Sequence, residues 1–353
     1  MAFRDARTAS IPLARGPSGA GAPALVDALA TCLARAGGPS ISRDELSCVT
    51  SVAFKNYVYD PALNPFDDPE LFELDPELLS NFGILEAFGY YTGYGAREFN
   101  GVPANDLDDL VAFELSQGRP LITAAVSGPL APEIVMGIER EGPARVYTVW
   151  RAGDDAPSRV DLANLASVQI DSFFMKNWVV VVRPGERPDW SASIGRLRLD
   201  VLRWASKHLR AHKELFHETR RNYATGLAAF DSFSTFLTER LEASGDAGVA
   251  YARDHLTALS AARASAASRL PVWADELPDF DDLRVDDPDA LAATIRALAP
   301  LYADSSAHVA RAHEALLAED VPACTSALGA AASAERDAST HLDRVAELAP
   351  RRF

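Results

Sequence analysis

The chain has 353 residues, 48% of them apolar, and a net charge of -16. Its length exceeds what one core organises, so two domains are expected, and its charge argues against nucleic-acid or anionic-membrane partners, because phosphate is held by Lys and Arg. Neither half is basic: residues 1–190 carry 15 Lys and Arg against 26 Asp and Glu, and the remainder 19 against 24.

Cys32, Cys48 and Cys324 are too few and too scattered for a disulfide framework or a CxxC metal site, which fits a reducing cytoplasm. The opening residues lack the apolar run of a secretory signal, and no stretch approaches the ~20 apolar residues of a spanning helix.

Residues 1–23 are rich in Gly, Pro, Ser and Ala and read as a flexible N-terminus. A short helix is expected over 24–36. Next comes "DELSCVTSVAFKNYVYD", Asp44 to Asp60. Ser42 with Glu45 makes a possible capping box, with Ser47 as the alternative cap that would put Cys48 in the first turn; Leu46, Val49, Ala53 and Tyr57 recur at helical spacing, so the stretch reads as one buried helix. Cys48, Val52, Lys55 and Tyr59 fall on a second stripe of it. A helix over 75–88, ended by Gly89, precedes "YYTGYG", read as extended with Tyr90, Tyr91 and Tyr94 either lining a ligand or packing as aromatics. Asn105 is expected to cap a helix running to Gln117, with Gly118 as its stop.

The pattern then changes to "RPLITAAV", "PEIVMGIE", "ARVYTVW" and "WVVVVRP", short β-branched runs with "EREGPA" as a hairpin connection. Helices followed by strands indicate an α+β domain. After the Pro/Gly-rich "RPGERP" the composition shifts to Ala, Leu and Arg. Helices are expected over 191–212, 217–243 with Gly226 inside, 246–269, 288–318 bent or broken at Pro300, and 321–348. The domain reading is therefore 1–23 flexible, 24–188 α+β, and 189–353 an α-helical bundle.

The phrases "LSCVTSVAFK", "ILEAFGY", "GRPLITAAV", "APEIVMGIERE", "NWVVVVRP" and "YATGLAAFDSF", in that order, resemble bacterial proteins related to the N-terminal domain of butirosin biosynthesis protein H. That group shares a papain-like fold with bacteriocin-processing cysteine peptidases. The likeness spans roughly residues 42–243. It implies a papain-like N-terminal domain with an antiparallel sheet, and acyl or peptidyl transfer from a thioester to an amine in natural-product biosynthesis. The nucleophile would be a Cys at the start of the first core helix, paired with a His on a central strand before a Gly.

Cys48 holds the first position. The second phrase offers Glu133 upstream of Gly137 and no histidine, since all seven histidines lie at or beyond His208. The base would then be Glu133, or His217 supplied by the helices, with Lys55, Tyr90, Tyr91 and Tyr94 binding substrate.

A small-molecule or peptide substrate, an acyl carrier protein as donor, and a homodimer are compatible with this reading, and no cofactor or metal is expected. His208 and His212, at i and i+4, read as an exposed helix face in preference to a metal site. The alternative function is a non-catalytic descendant that binds a small cationic or amine-containing ligand. In that case Cys48 is a buried small hydrophobe.

Overall fold

The computed structural model describes residues 8–10, 24–63, 81–124, 132–141, 144–151, 156–161, 168–170, 173–175, 178–185, 194–216, 221–277, 283 and 285–349. It is an α+β chain with antiparallel sheets and a helical C-terminal part. In chain order come β1 (Thr8–Ser10), α1 (Ala24–Arg35), α2 (Arg43–Val49), a 3-10 turn (Val52–Phe54) and β2 (Tyr57–Tyr59). Next are α3 (Asn81–Thr92), β3 (Tyr94–Phe99), α4 (Ala104–Ser116), β4 (Leu121–Ala124), β5 (Pro132–Glu141), β6 (Ala144–Arg151) and β7 (Ser158–Asp161). The short pair β8 (Val168–Ile170) and β9 (Phe173–Met175) leads to β10 (Val179–Pro184). Last are α5 (Ile194–Arg210), β11 (Lys213–Phe216), β12 (Arg221–Thr225), α6 (Leu227–Glu239), α7 (Gly245–Glu276), α8 (Pro288–Leu317) and α9 (Val321–Leu348).

Two compact units emerge, each discontinuous: Met1–Arg43 with Glu73–Trp190, and Asp44–Phe72 with Ser191–Phe353. The segment bearing Cys48 packs with the helices, whereas a boundary at 188/189 groups it with the sheet.

In the first unit the strand order is β3-β10-β4-β5-β6-β7, with β1 beside the second half of β5. The four β-branched runs form β4, β5, β6 and β10, and β5 pairs with β6 as a hairpin from Glu133↔Arg151 to Glu141↔Ala144. Because side chains alternate across a strand, Leu121, Val135, Val149, Val179 and Val181 share one face. Leu107, Val111 and Leu115 of α4 cover it. The alternate set, Ile122, Ile134 and Val180, is equally buried, and α1 packs on β4, β5 and β10. Each such fully buried Val or Leu contributes about 1.5–3 kcal/mol.

Two helix ends differ from expectation here. Helix α3 passes through Gly89 and stops at Gly93, whose φ of 74° supplies the left-handed turn. Thr92 Oγ1 there donates to Phe88 O and accepts the Tyr94 N–H. Tyr90 and Tyr91 are therefore helical, and only "YG" onward is strand. Helix α4 starts at Ala104 after Pro103, so Asn105 lies inside its first turn, while Gly118 ends it at φ 76° as expected. Residues 75–80 lie outside the described residues.

In the second unit, α7, α8 and α9 pack in sequence, α5 lies on α9, and β11-β12-β2 form a three-stranded sheet. Phe230, Phe233, Leu256, Leu259, Val309, Leu316 and Leu328 belong to its core. Helices α7 and α8 run unbroken through Pro271 and Pro300, although an interior proline costs about 3 kcal/mol. The residues on either side, Leu270 and Trp273 in α7, Leu298 and Tyr302 in α8, are buried, and their packing offsets the missing N–H.

The expected single helix over the Cys48 stretch is corrected. Helix α2 ends at Val49, Ser51 turns left-handed at φ 65°, and Tyr57–Tyr59 joins a sheet by pairing with β12. Two local preferences explain this: Thr50 Oγ1 bonds back to Leu46 O at 2.6 Å, and "YVY" is β-branched and aromatic. The helix expected over 217–243 is likewise replaced by β12, Gly226 and α6, with 217–220 outside the described residues.

Candidate functional site

Helix α2 follows directly on Ser42 and has only seven residues, so Cys48 sits in its last turn and not its first. The negative end of a helix disfavours a thiolate. The thiol is fully buried, and burial, reinforced by the carboxylates of Glu45 and Asp44, raises its pKa well above the ordinary value, while Arg269 and Arg198 pull weakly the other way. The alternative that Ser47 opens the helix is excluded, since Ser47 is interior to it.

The carboxylates beside Cys48 are themselves committed. Buried Glu45 accepts from Arg198 Nη2 at 2.9 Å, from Arg269 Nε at 2.6 Å and from Trp273 Nε1 at 3.0 Å. Arg198 also reaches Glu276 at 2.6 Å and lies over the Trp273 ring. Asp44 accepts from Ser265 and Ser268 of α7.

A second polar centre lies farther along the segment. Arg263 of α7 has no exposed surface; its Nε and Nη2 donate to the two carboxylate oxygens of Glu335 in α9, at 2.6 and 3.0 Å. Its Nη1 donates to Ala53 O at 2.9 Å and to Lys55 O at 2.8 Å, carbonyls beyond the Ser51 and Val52 oxygens that close the 3-10 turn. Ser305 of α8 completes the Glu335 shell at 2.8 Å. Phe54 meets the Tyr302 ring edge-on at 5.4 Å, and burial, with Glu335 nearby, raises the Tyr302 pKa.

The third centre joins three strands of chain. Asn56 N–H donates to His208 Nε2 at 3.1 Å, Gly226 N–H donates to Asn56 O at 3.0 Å, and Asn56 Nδ2 donates to Gly226 O at 3.4 Å. His208 stacks on Trp204 at 4.6 Å and meets Tyr57 edge-on at 4.8 Å. Burial first, then the Arg263 and Lys55 charges, push its pKa down to about 3, so the ring is neutral. Gly226 has φ 57°, and a Cβ there would come within 2.3 Å of His208 O. Contact with α5, not a helical position, is what requires glycine.

The anticipated site residues divide between the units. Cys48 and Lys55 belong to the helical unit; Lys55 is half-buried, with its ammonium 5.9 Å from the Trp204 ring centre. Glu133, Tyr90, Tyr91 and Tyr94 belong to the sheet unit. Glu133 is buried at the start of β5, not set in water, and its register partners are Thr123 and Arg151. Thr123 donates to Trp178 O. Tyr90 is buried within α3, Tyr91 is half-buried, and the Tyr94 hydroxyl donates to Gly37 O at 3.0 Å. His217 lies outside the described residues.

His208 is buried and not on an exposed face, while His212 is exposed. Among the described residues no group of three or more His, Cys, Asp or Glu is placed to hold a metal ion.

Sequence reasoning passed over Arg263 and Glu335, yet a signal existed. Arg263 stands in the stripe Leu256, Leu259, Arg263, Ala266, Leu270, and Glu335 in Leu328, Ala331, Glu335, Ala338, Leu342. Opposite charges on the apolar stripes of two helices mark a buried pair. Compared with family models and with curated proteins, the chain matches none.

Proposed function

We propose that the chain is a non-catalytic, papain-like relative of the cysteine-peptidase-like proteins it resembles, and that it binds a small cationic or amine-bearing ligand. The observation that carries this reading is the setting of Cys48. Acyl transfer through a thioester needs an accessible thiol with a lowered pKa, as a helix N-terminus or an imidazolium provides. Here the thiol is fully buried in the last turn of α2, beside two carboxylates that raise its pKa. The ligand class rests on charge: 50 acidic against 34 basic side chains favour cations.

Iodoacetamide should leave Cys48 unmodified in the folded chain at about pH 8, while all three cysteines react after denaturation. Rapid alkylation of Cys48 at about pH 6 would instead return the chain to thioester-to-amine transfer. Calorimetric titration with spermidine, with citrate as the anionic control, tests the ligand class; equal or absent response to both would remove it.

A further inference from the structure

We propose that His208 is an acid-sensitive clasp: its neutral ring holds the Asn56 turn against α5, and uptake of a proton at Nε2 releases that turn. The geometry is specific to the neutral ring. Nε2 can accept the Asn56 N–H, at 3.1 Å, only while it carries no proton of its own. Once protonated it presents a donor to a donor, and the buried Asn56 amide loses its partner.

Among the described residues, the charged groups that act on the ring, Arg263 and Lys55, are both cations and oppose a proton there. From the segment 55–57 it faces the Lys55 ammonium and the edge of Tyr57; from its own helix, the face of Trp204; from α7, the Arg263 guanidinium. Among the described residues of α9, Glu335 is engaged by Arg263 and Ser305, and Asp343 by Ser206 and Arg210. Gly226, on the remaining side, offers backbone only, and its own N–H and carbonyl are bonded to Asn56. Losing the His208 bond therefore loosens the node that ties β2, α5 and the β12-α6 junction together. The depression of the ring's pKa to about 3 has the same origin, burial first and the two cations after it.

The sign follows from linkage. The folded ring takes its proton only near pH 3, whereas the released ring takes it at about 6.5. Between those values the released form binds one more proton, so opening becomes easier as pH falls, by about tenfold per pH unit.

Native-state hydrogen exchange on the full chain reads this directly. After correction for intrinsic exchange, protection of the Asn56 amide should fall about tenfold per unit from pH 6 to pH 4. In His208→Gln, whose side-chain oxygen accepts the same N–H without titrating, protection should vary less steeply by one proton's worth. Because that variant loses the ring stack and could fold poorly, the wild-type ring is also followed by NMR from pH 7 to pH 5. A neutral signal throughout supports the clasp. Titration of the native ring near 6.5, or Asn56 protection that does not change with pH, overturns it.

Discussion

Two parts of the helical unit are held by different physics. Helices α7, α8 and α9 meet through Leu256, Leu259, Val309, Leu316 and Leu328, all essentially inaccessible. The segment Asp44–Tyr59 also buries Leu46, Val49, Val52 and Phe54, but its placement is set by directed bonds: Glu45 to two arginines and an indole, Arg263 to two carbonyls, His208 to an amide. Apolar contact is tolerant of small shifts and of pH. Buried ionic contact has large desolvation terms on both sides, adds little net stability when complete, and is very costly when half removed. The helices therefore supply most of the stability, and the polar centres determine where the segment sits.

The sharpest way to break that contrast is Arg263→Met. It leaves the Glu335 carboxylate and the Ala53 and Lys55 carbonyls buried with a lost partner, and should cost about 3–5 kcal/mol in urea unfolding. Adding Glu335→Leu should recover a good part of the loss, because the orphaned charge disappears. If Arg263→Met alone costs under about 1 kcal/mol, the centre is not an ionic anchor. Leu328→Ala supplies the apolar counterpart: about 2–4 kcal/mol, unchanged between pH 7 and pH 5.

Gly226→Ala comes next. At φ 57° an L side chain is strained by about 1–3 kcal/mol, and its Cβ would press on the His208 carbonyl, which is backbone and cannot swing away. Thermal unfolding should show the loss together with faster exchange at Asn56. A fully stable variant would mean that the three-way node is looser than its contacts indicate.

Long elements were legible from their periodicity. α8 and α9 match the expected 288–318 and 321–348 within a residue, and the β-branched runs became β4, β5, β6 and β10. What failed was local: Thr50 and Ser51 ended a helix that the Leu46, Val49, Ala53, Tyr57 spacing carried on, and Gly226 looked like a helix interior because "ATGLAAF" is Ala-rich on both sides. A helical period sampled over three turns cannot distinguish a helix from a turn leading into a strand when the same residues are buried in both. The setting of Cys48 was half legible. Its neighbours Asp44 and Glu45 stand in the sequence, but that Arg198, Arg269 and Trp273 close over them depends on contacts more than 150 residues away.

The smallest expected effect completes the contrast from the outside. Arg296 of α8 donates through Nε and Nη2 to Asp275 Oδ1 of α7, at 3.1 and 2.6 Å, a geometry as close as that of Arg263 with Glu335. Yet the two side chains are 50% and 67% exposed, so each is solvated whether or not the pair forms, and screening by salt weakens what Coulomb attraction remains. Asp275→Asn should therefore change stability by no more than about 0.5 kcal/mol, and that change should vanish in about 1 M salt. A loss comparable to that of Arg263→Met would show that bond length, and not burial, sets the value of an ion pair in this bundle.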